Sequence, residues 1–85
     1  MQAMERQLTD KHVHTLRFIY DYVKNNGCAP TRKEIAEALG ISTNAAYGRI
    51  YHLFDLGYLR EPKTWQYGRG IALTEKGIST CDSDN

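Results

Sequence analysis

The sequence has no long apolar run and few cysteines, and both absences exclude classes of protein. No apolar stretch approaches the roughly 20 residues that a transmembrane helix needs, and the opening residues MQAMERQLTD lack the apolar core of a signal peptide. We therefore expect a cytoplasmic protein that does not contact a membrane. The two cysteines, Cys28 and Cys81, are too few for a disulfide framework. We expect a structural thiol at Cys28 and an exposed thiol at Cys81.

An excess of one charge sign is also missing. The net charge is +1, from 11 basic and 10 acidic residues, so the chain lacks the basic balance of a protein that coats nucleic acid non-specifically. The basic residues are nevertheless concentrated in the middle, because residues 31–69 carry six of them against four acidic residues. At 85 residues the chain is long enough for one domain with a small core.

Recognisable metal or catalytic motifs are scarce as well. His12 and His14 lie two positions apart, so they do not share a helix face, and His52 is far along the chain. No serine, cysteine or lysine stands in a catalytic motif, and the carboxylates of Glu34 and Glu37 have the spacing of helix-surface charges. We expect no metal, no cofactor, no small-molecule ligand and no enzymatic activity.

Apolar periodicity predicts a first helix over about Asp10–Asn26. Its apolar residues recur three or four positions apart and would form one buried face: Val13, Leu16, Ile19, Tyr20 and Val23. Thr9 is a suitable N-cap, and Gly27 is well placed to end the helix in a left-handed turn.

Two further helices are predicted close together. Thr31 and Glu34 form the pattern of a capping box at the start of a short second helix, which ends at Gly40. Ser42 or Thr43 caps a third helix over about 43–56. The expected inward residues are Ile35, Ala38 and Leu39 in the second helix, and Ala46, Ile50, Leu53 and Phe54 in the third.

After the third helix the pattern becomes that of short strands over 58–60 and 70–73. The polar loop between them carries Trp65, Gln66 and Tyr67. A two-stranded hairpin is marginal alone and must pack against the helices. The predicted fold is mainly α with a small β-hairpin: a winged helix-turn-helix, made of a three-helix bundle and a two-stranded wing. We expect a flexible N-terminus over 1–8, this domain over 9–77, and a disordered polar tail over 78–85.

The third helix is the expected reading element, since an α-helix fits the DNA major groove and base edges there are distinguishable. The candidate base-reading residues are Ser42, Thr43, Asn44, Ala45, Tyr47, Gly48 and Tyr51. Asparagine can pair with adenine, serine with either kind of base edge, and alanine or tyrosine can touch a thymine methyl. The absence of a side chain at Gly48 would let the helix sit deep in the groove.

Contacts to the phosphate backbone are expected from residues around this helix. The candidates are Thr31, Arg32 and Lys33 before the second helix or in its first turn, Arg49 on the third, and Lys63 and Arg69 in the wing. Trp65 and Tyr67 either fold back onto the base of the wing or meet a ligand.

Several stretches resemble the DNA-binding domain of the LexA repressors. They are APTRKEIAEALG, STNAA and GRGIAL, preceded by LTDKHVHTLRFIYDYVKNNG, which is similar to that domain's first helix. The resemblance covers about residues 8–73. It implies that Ser42, Asn44, Ala45, Tyr47 and Gly48 occupy operator-reading positions, and that Arg32 and the wing contact the DNA backbone.

The chain also departs from that family. LexA-like domains usually carry acidic residues where Tyr47 and Gly48 stand, so we expect a different operator. The loop around Trp65 is longer than the usual wing. Because the chain ends where the family's linker and peptidase would begin, we expect no self-cleavage and a small stand-alone regulator of phage, plasmid or chromosomal origin.

Two functions remain open from the sequence. The first is sequence-specific binding of double-stranded DNA by a small transcriptional regulator, expected to be a repressor and to bind as a homodimer. The alternative is a protein–protein adaptor in a phage, replication or antirestriction complex. The resemblance of the second and third helices to LexA-type domains favours the first function, whereas the exposed aromatic residues and near-neutral charge favour the second.

Overall fold

The computed structural model describes residues 8–63 and 70–83. Four helices and two strands follow in the order α1 (Asp10–Asn26), α2 (Arg32–Leu39), α3 (Thr43–Asp55), β1 (Leu59–Arg60), β2 (Ala72–Leu73) and α4 (Glu75–Ser83). The predicted flexible segment over 1–8 falls outside the described residues except for Leu8. Four candidate site residues also lie outside them: Trp65, Gln66, Tyr67 and Arg69.

Local capping sets the boundaries of α2 and α3. The Thr31 hydroxyl accepts from the Glu34 amide at 3.1 Å, and the Glu34 carboxylate accepts from the Thr31 amide at 2.8 Å, which completes the predicted capping box. Gly40 ends α2 with a φ of 69°, a left-handed conformation that glycine adopts without steric cost. Ser42 then caps α3 by accepting from the Ala45 amide at 3.1 Å.

The core lies where α1, α2 and α3 meet. Its fully buried side chains include Leu16 and Ile19 from α1, Ile35 from α2, and Ala46, Ile50 and Leu53 from α3. Two inward assignments are wrong. Ala38 is exposed, and Ala36 is buried in its place, because α2 packs against both α1 and α3 and turns a different stripe inward. Val13 is likewise exposed.

The two strands form an antiparallel pair, with Leu59 opposite Leu73 and Arg60 opposite Ala72. They are shorter than the sequence predicts, but the hairpin is confirmed. Leu59 is buried in the helical core together with Ile71, which precedes β2. The hairpin is therefore anchored to the helices, as a lone pair of strands in water requires.

The expected disordered tail is wrong as far as Ser83, because residues 75–83 form α4. Cys81 is only 3 % exposed and joins the core, contrary to the expected exposed thiol. Cys28, expected to be structural, is exposed. Arg17 donates to the Cys81 carbonyl at 3.1 Å and the Tyr20 hydroxyl donates to Asp82, so hydrogen bonds join α4 to α1. The polar sequence of α4 does not predict these contacts.

α4 also holds the start of the wing. The Lys76 ammonium donates to the Leu56 carbonyl at 2.9 Å and lies 4.6 Å from the centre of the Tyr58 ring. A Cβ added at Gly77 would lie 2.4 Å from the Tyr58 carbonyl oxygen, so only glycine allows this close approach. Within the described ranges, no helix is long and apolar enough to cross a membrane.

Candidate nucleic-acid interface

The outward face of α3 carries the predicted base-reading residues. All of them are exposed: Ser42, Thr43, Asn44, Ala45, Tyr47, Gly48 and Tyr51. The opposite face is buried in the core through Ala46, Ile50 and Leu53. Because these apolar residues hold the helix against α1 and α2, the polar and aromatic residues are presented together on the solvent side.

Two tyrosines dominate this face. Tyr47 is 39 % exposed and Tyr51 is 59 % exposed. They stand one turn apart, with ring centroids separated by 6.4 Å and ring planes inclined by 60°. Phe54 continues the aromatic row, and Arg32 and Glu61 complete a shallow groove beside it.

Arg32 connects the start of α2 with the face of α3. Its guanidinium carbon lies 5.7 Å from the centre of the Tyr47 ring, within the range of a cation–π contact. Lys33 beside it is exposed. Thr31 is engaged in the capping box, so its hydroxyl oxygen already accepts one helix amide.

Arg49 points away from the tyrosines. It is half-buried, and its guanidinium donates to the Thr15 hydroxyl of α1 at 3.4 Å. It lines a second groove together with Lys11, His14 and Leu39. Lys63 is exposed just after β1, so the described candidates for phosphate contact lie on several sides of α3 and not in one patch.

The structure also brings together two histidines that sequence reasoning separated. The rings of His12 and His52 lie 4.2 Å apart at the α1–α3 interface, and His12 is only 8 % exposed. The Thr9 hydroxyl is hydrogen-bonded to His12 Nδ1. Burial lowers the pKa of His12, and the nearby His52, Lys11 and Arg49 lower it further.

A signal for this burial was present in the sequence. His12 stands three and four positions before Thr15 and Leu16, and therefore on the buried stripe of α1. Among residues 8–63 and 70–83, no group of three His, Cys, Asp or Glu side chains could hold a metal ion.

Comparison with known proteins agrees with this geometry. Residues 5–65 match the family described as the LexA DNA binding domain. The chain belongs to this family. The fold prediction is confirmed too, since the structure contains three helices followed by a two-stranded wing, to which it adds α4.

Several LexA repressors are similar to the chain. That of Leuconostoc citreum is 36% identical over 69 residues, which are 80% of this chain and 33% of the repressor. That of Oenococcus oeni is 41% identical over 69 residues, or 80% of this chain and 32% of the repressor. That of Lactobacillus acidophilus is 37% identical over 76 residues, or 87% and 36%. This LexA-type chain spans about a third of the length of these relatives.

Two solved structures share the fold at low sequence identity. S. aureus MepR bound to ethidium bromide superposes with a TM-score of 0.75 at 23% identity, over 91% of this chain and 54% of that one. A hypothetical protein superposes with a TM-score of 0.77 at 22% identity, over 92% of this chain and 24% of that one. At such identity they bear on the fold of the LexA-type domain alone.

Proposed function

We propose that the chain is a sequence-specific double-stranded DNA-binding module that represses transcription, and that it reads the major groove with α3. The observation that carries the proposal is the exposed face of α3, which presents Asn44, Tyr47 and Tyr51. This helix directly follows α2, whose start is fixed by a capping box. The relatives are LexA repressors, which supports repression. As a regulator of transcription it would act in the cytoplasm.

The reading residues divide by chemistry. Asn44 can form two hydrogen bonds with adenine. The Ser42 hydroxyl accepts from Ala45 in the cap and still has its hydrogen to donate to a base. Gly48 has no neighbouring atom within 4 Å of where a Cβ would stand, so this part of α3 leaves room for the wall of a groove to approach the helix.

Phosphate contacts would position the module without reading sequence. Arg32 and Lys33 stand in the first turn of α2, where backbone amides also favour an anion, and Thr31 precedes them. Lys63 and Arg69 would contact the strand next to the wing. Arg49 could reach phosphate only by leaving Thr15.

A homodimer on DNA belongs to this proposal. One small module makes few contacts, and two modules on adjacent half-sites bind far more tightly than one. An inverted repeat in the bound DNA is the expected sign of such pairing.

The test is selection of bound sites from a random duplex pool at near-physiological salt. We expect one enriched motif, and an inverted repeat if two chains bind together. Asn44→Ala should weaken binding to the selected site by about tenfold, the effect of losing a bidentate base contact. Asn25→Ala, which removes an exposed asparagine from the carboxyl end of α1, should change nothing.

The exposed aromatic row favours a second function, docking of a protein partner. Tyr47 and Tyr51 are exposed and the half-buried Phe54 lines the groove beside them, and exposed aromatic patches mark contact surfaces. If the pool yields no enriched motif, and Asn44→Ala binds duplex DNA as well as the unaltered protein does, docking of a protein partner replaces DNA reading as the proposed function.

A further inference from the structure

The outward face of α3 presents polar and aromatic groups but few charged ones. Its first turn contains no acidic residue, and the exposed residues over 42–51 offer hydroxyls, one amide, the methyl groups of Thr43 and Ala45, and two phenol rings. A side-chain carboxylate is what accepts from the amino group of cytosine, and arginine is what pairs with guanine. Neither a carboxylate nor an arginine is present among the exposed residues over 42–51.

The Tyr47 ring is held in place by two neighbours. The Arg32 guanidinium lies over it at 5.7 Å, and Tyr51 meets it edge-on at 6.4 Å. Contacts on two sides restrict the rotamers of an exposed side chain before any ligand arrives. A side chain that is already ordered loses less entropy on binding, so Tyr47 is better suited than Tyr51 to a defined base contact.

Thymine is the base with an apolar group in the major groove, its C5 methyl. We propose that Tyr47 is a specificity-determining residue that packs against a thymine methyl, and that Arg32 is the positioning residue that holds its ring. The operator then carries thymine at the step that Tyr47 faces. This inference rests on the proposed function, because it requires that α3 enters the major groove.

Arg32 would then have two roles, attraction of phosphate and positioning of the Tyr47 ring. Its charge attracts phosphate whether or not the ring beneath it is present. Its stacking on Tyr47 instead affects only the discrimination between thymine and a base without the methyl. The two roles can be measured apart, the first as overall affinity and the second as a ratio of affinities.

The experiment uses the DNA site obtained by selection. Each thymine is replaced in turn by uracil, which keeps every hydrogen-bonding group and removes only the methyl. At one thymine in each half-site we expect affinity to fall by roughly fourfold, the value of one methyl group transferred from water. Tyr47→Phe should keep this loss, because the ring is unchanged.

Tyr47→Ala should abolish the difference between thymine and uracil at that step, and Asn25→Ala, at an exposed position of α1, is the control that should retain it. Thymines touched by Ala45 would stay sensitive in Tyr47→Ala and provide an internal reference. Arg32→Ala should weaken binding to both DNAs and also bring the thymine-to-uracil ratio towards one, while Arg32→Lys restores most of the affinity and less of the ratio.

The possible results test the role of Tyr47 separately from DNA binding itself. If the protein selects a motif but no thymine responds to the loss of its methyl, or every thymine that responds still does so in Tyr47→Ala, Tyr47 is not the thymine reader and the DNA-binding proposal stands. If Arg32→Ala leaves the ratio at its original value, the positioning role is wrong. If no motif is selected, both proposals are overturned.

Discussion

Single residues decide how closely α3 can approach a partner. Gly48 stands on the outward face of the helix with open space where a Cβ would be, whereas its neighbours Tyr47 and Tyr51 project from the same surface. Glycine in a helix interior costs about 0.5–1 kcal/mol relative to alanine. That cost is not explained by packing within the chain, and it is explained if Gly48 lies against DNA.

Gly48→Leu should therefore affect folding and binding in opposite directions. We expect the free energy of unfolding to stay equal or rise by up to about 1 kcal/mol, because leucine is a better helix former. Affinity for the selected DNA should fall by more than about tenfold, because the side chain fills the space between helix and groove. Urea unfolding and a binding titration measure the two effects.

Ser79→Leu provides the control, since it adds the same side chain at an exposed position of α4. Binding should be unchanged there. Equal losses of affinity in the two variants would mean that Gly48 does not lie against DNA.

The helices and the wing pack together at two interfaces. α3 packs against α1 through the core and through the contact between the tilted rings of His12 and His52. The wing is held from below by α4, through Lys76 and the close approach at Gly77. The surface that would bind DNA therefore depends on two interfaces that do not themselves contact DNA.

The α1–α3 interface should weaken in acid. Burial, followed by His52, Lys11 and Arg49, lowers the pKa of His12 in the folded protein from its usual value of 6.5. The unfolded chain then binds more protons, so stability is retained above pH 6.5 and is lost as the pH falls towards the folded pKa. Urea unfolding between pH 8 and pH 5 should show this decline.

His12→Gln should flatten that pH profile, and His14→Gln, on the exposed side of the same helix, should leave it intact. The comparison uses the slope with pH and not the absolute stability, because replacing a buried ring also changes packing. A profile that keeps its slope without His12 would assign the acid sensitivity to another group.

The interface between α4 and the wing should not tolerate alanine at Gly77. The added Cβ would lie 2.4 Å from the Tyr58 carbonyl oxygen and 3.3 Å from the Leu73 side chain. We expect the free energy of unfolding to fall by about 1–3 kcal/mol, as for overpacking. Gly48→Ala is the matched change in open space and should raise it by up to about 1 kcal/mol. Thermal unfolding of the pair would contradict this account if both changes had the same sign.

At the scale of the whole molecule, the near-neutral net charge of +1 makes binding depend on where the charges lie. Cations before and after α3 would neutralise only a few phosphates. Affinity should accordingly depend on salt less steeply than for a strongly basic module.

Lys33→Ala should remove one of these phosphate contacts. We expect the slope of log affinity against log salt to become shallower by about 0.9, the value for one phosphate on duplex DNA. Lys24→Ala removes an exposed lysine from the last turn of α1 and should leave the slope unchanged. An unchanged slope for Lys33→Ala would remove the first turn of α2 from the phosphate-binding surface.

Much of the fold could be predicted because its signals are local. The capping box at Thr31, the serine cap at Ser42 and the glycine after α2 act within a few residues, and they set α2 and α3 nearly to the residue. The exposure of Asn44 and Tyr47 follows from helical periodicity once the buried stripe is known. Their roles in reading DNA stay predictions.

The residues alone were therefore enough for the boundaries of α1, α2 and α3, the outward face of α3 and the family. Only the tertiary structure decided that α4 continues to Ser83, that Cys81 is buried, that His12 meets His52 and that Arg49 turns towards α1. The physical reason is the separation along the chain. Arg17 and Cys81 are 64 positions apart. Local propensity cannot predict such a contact, because it forms only when the chain folds and brings distant segments together.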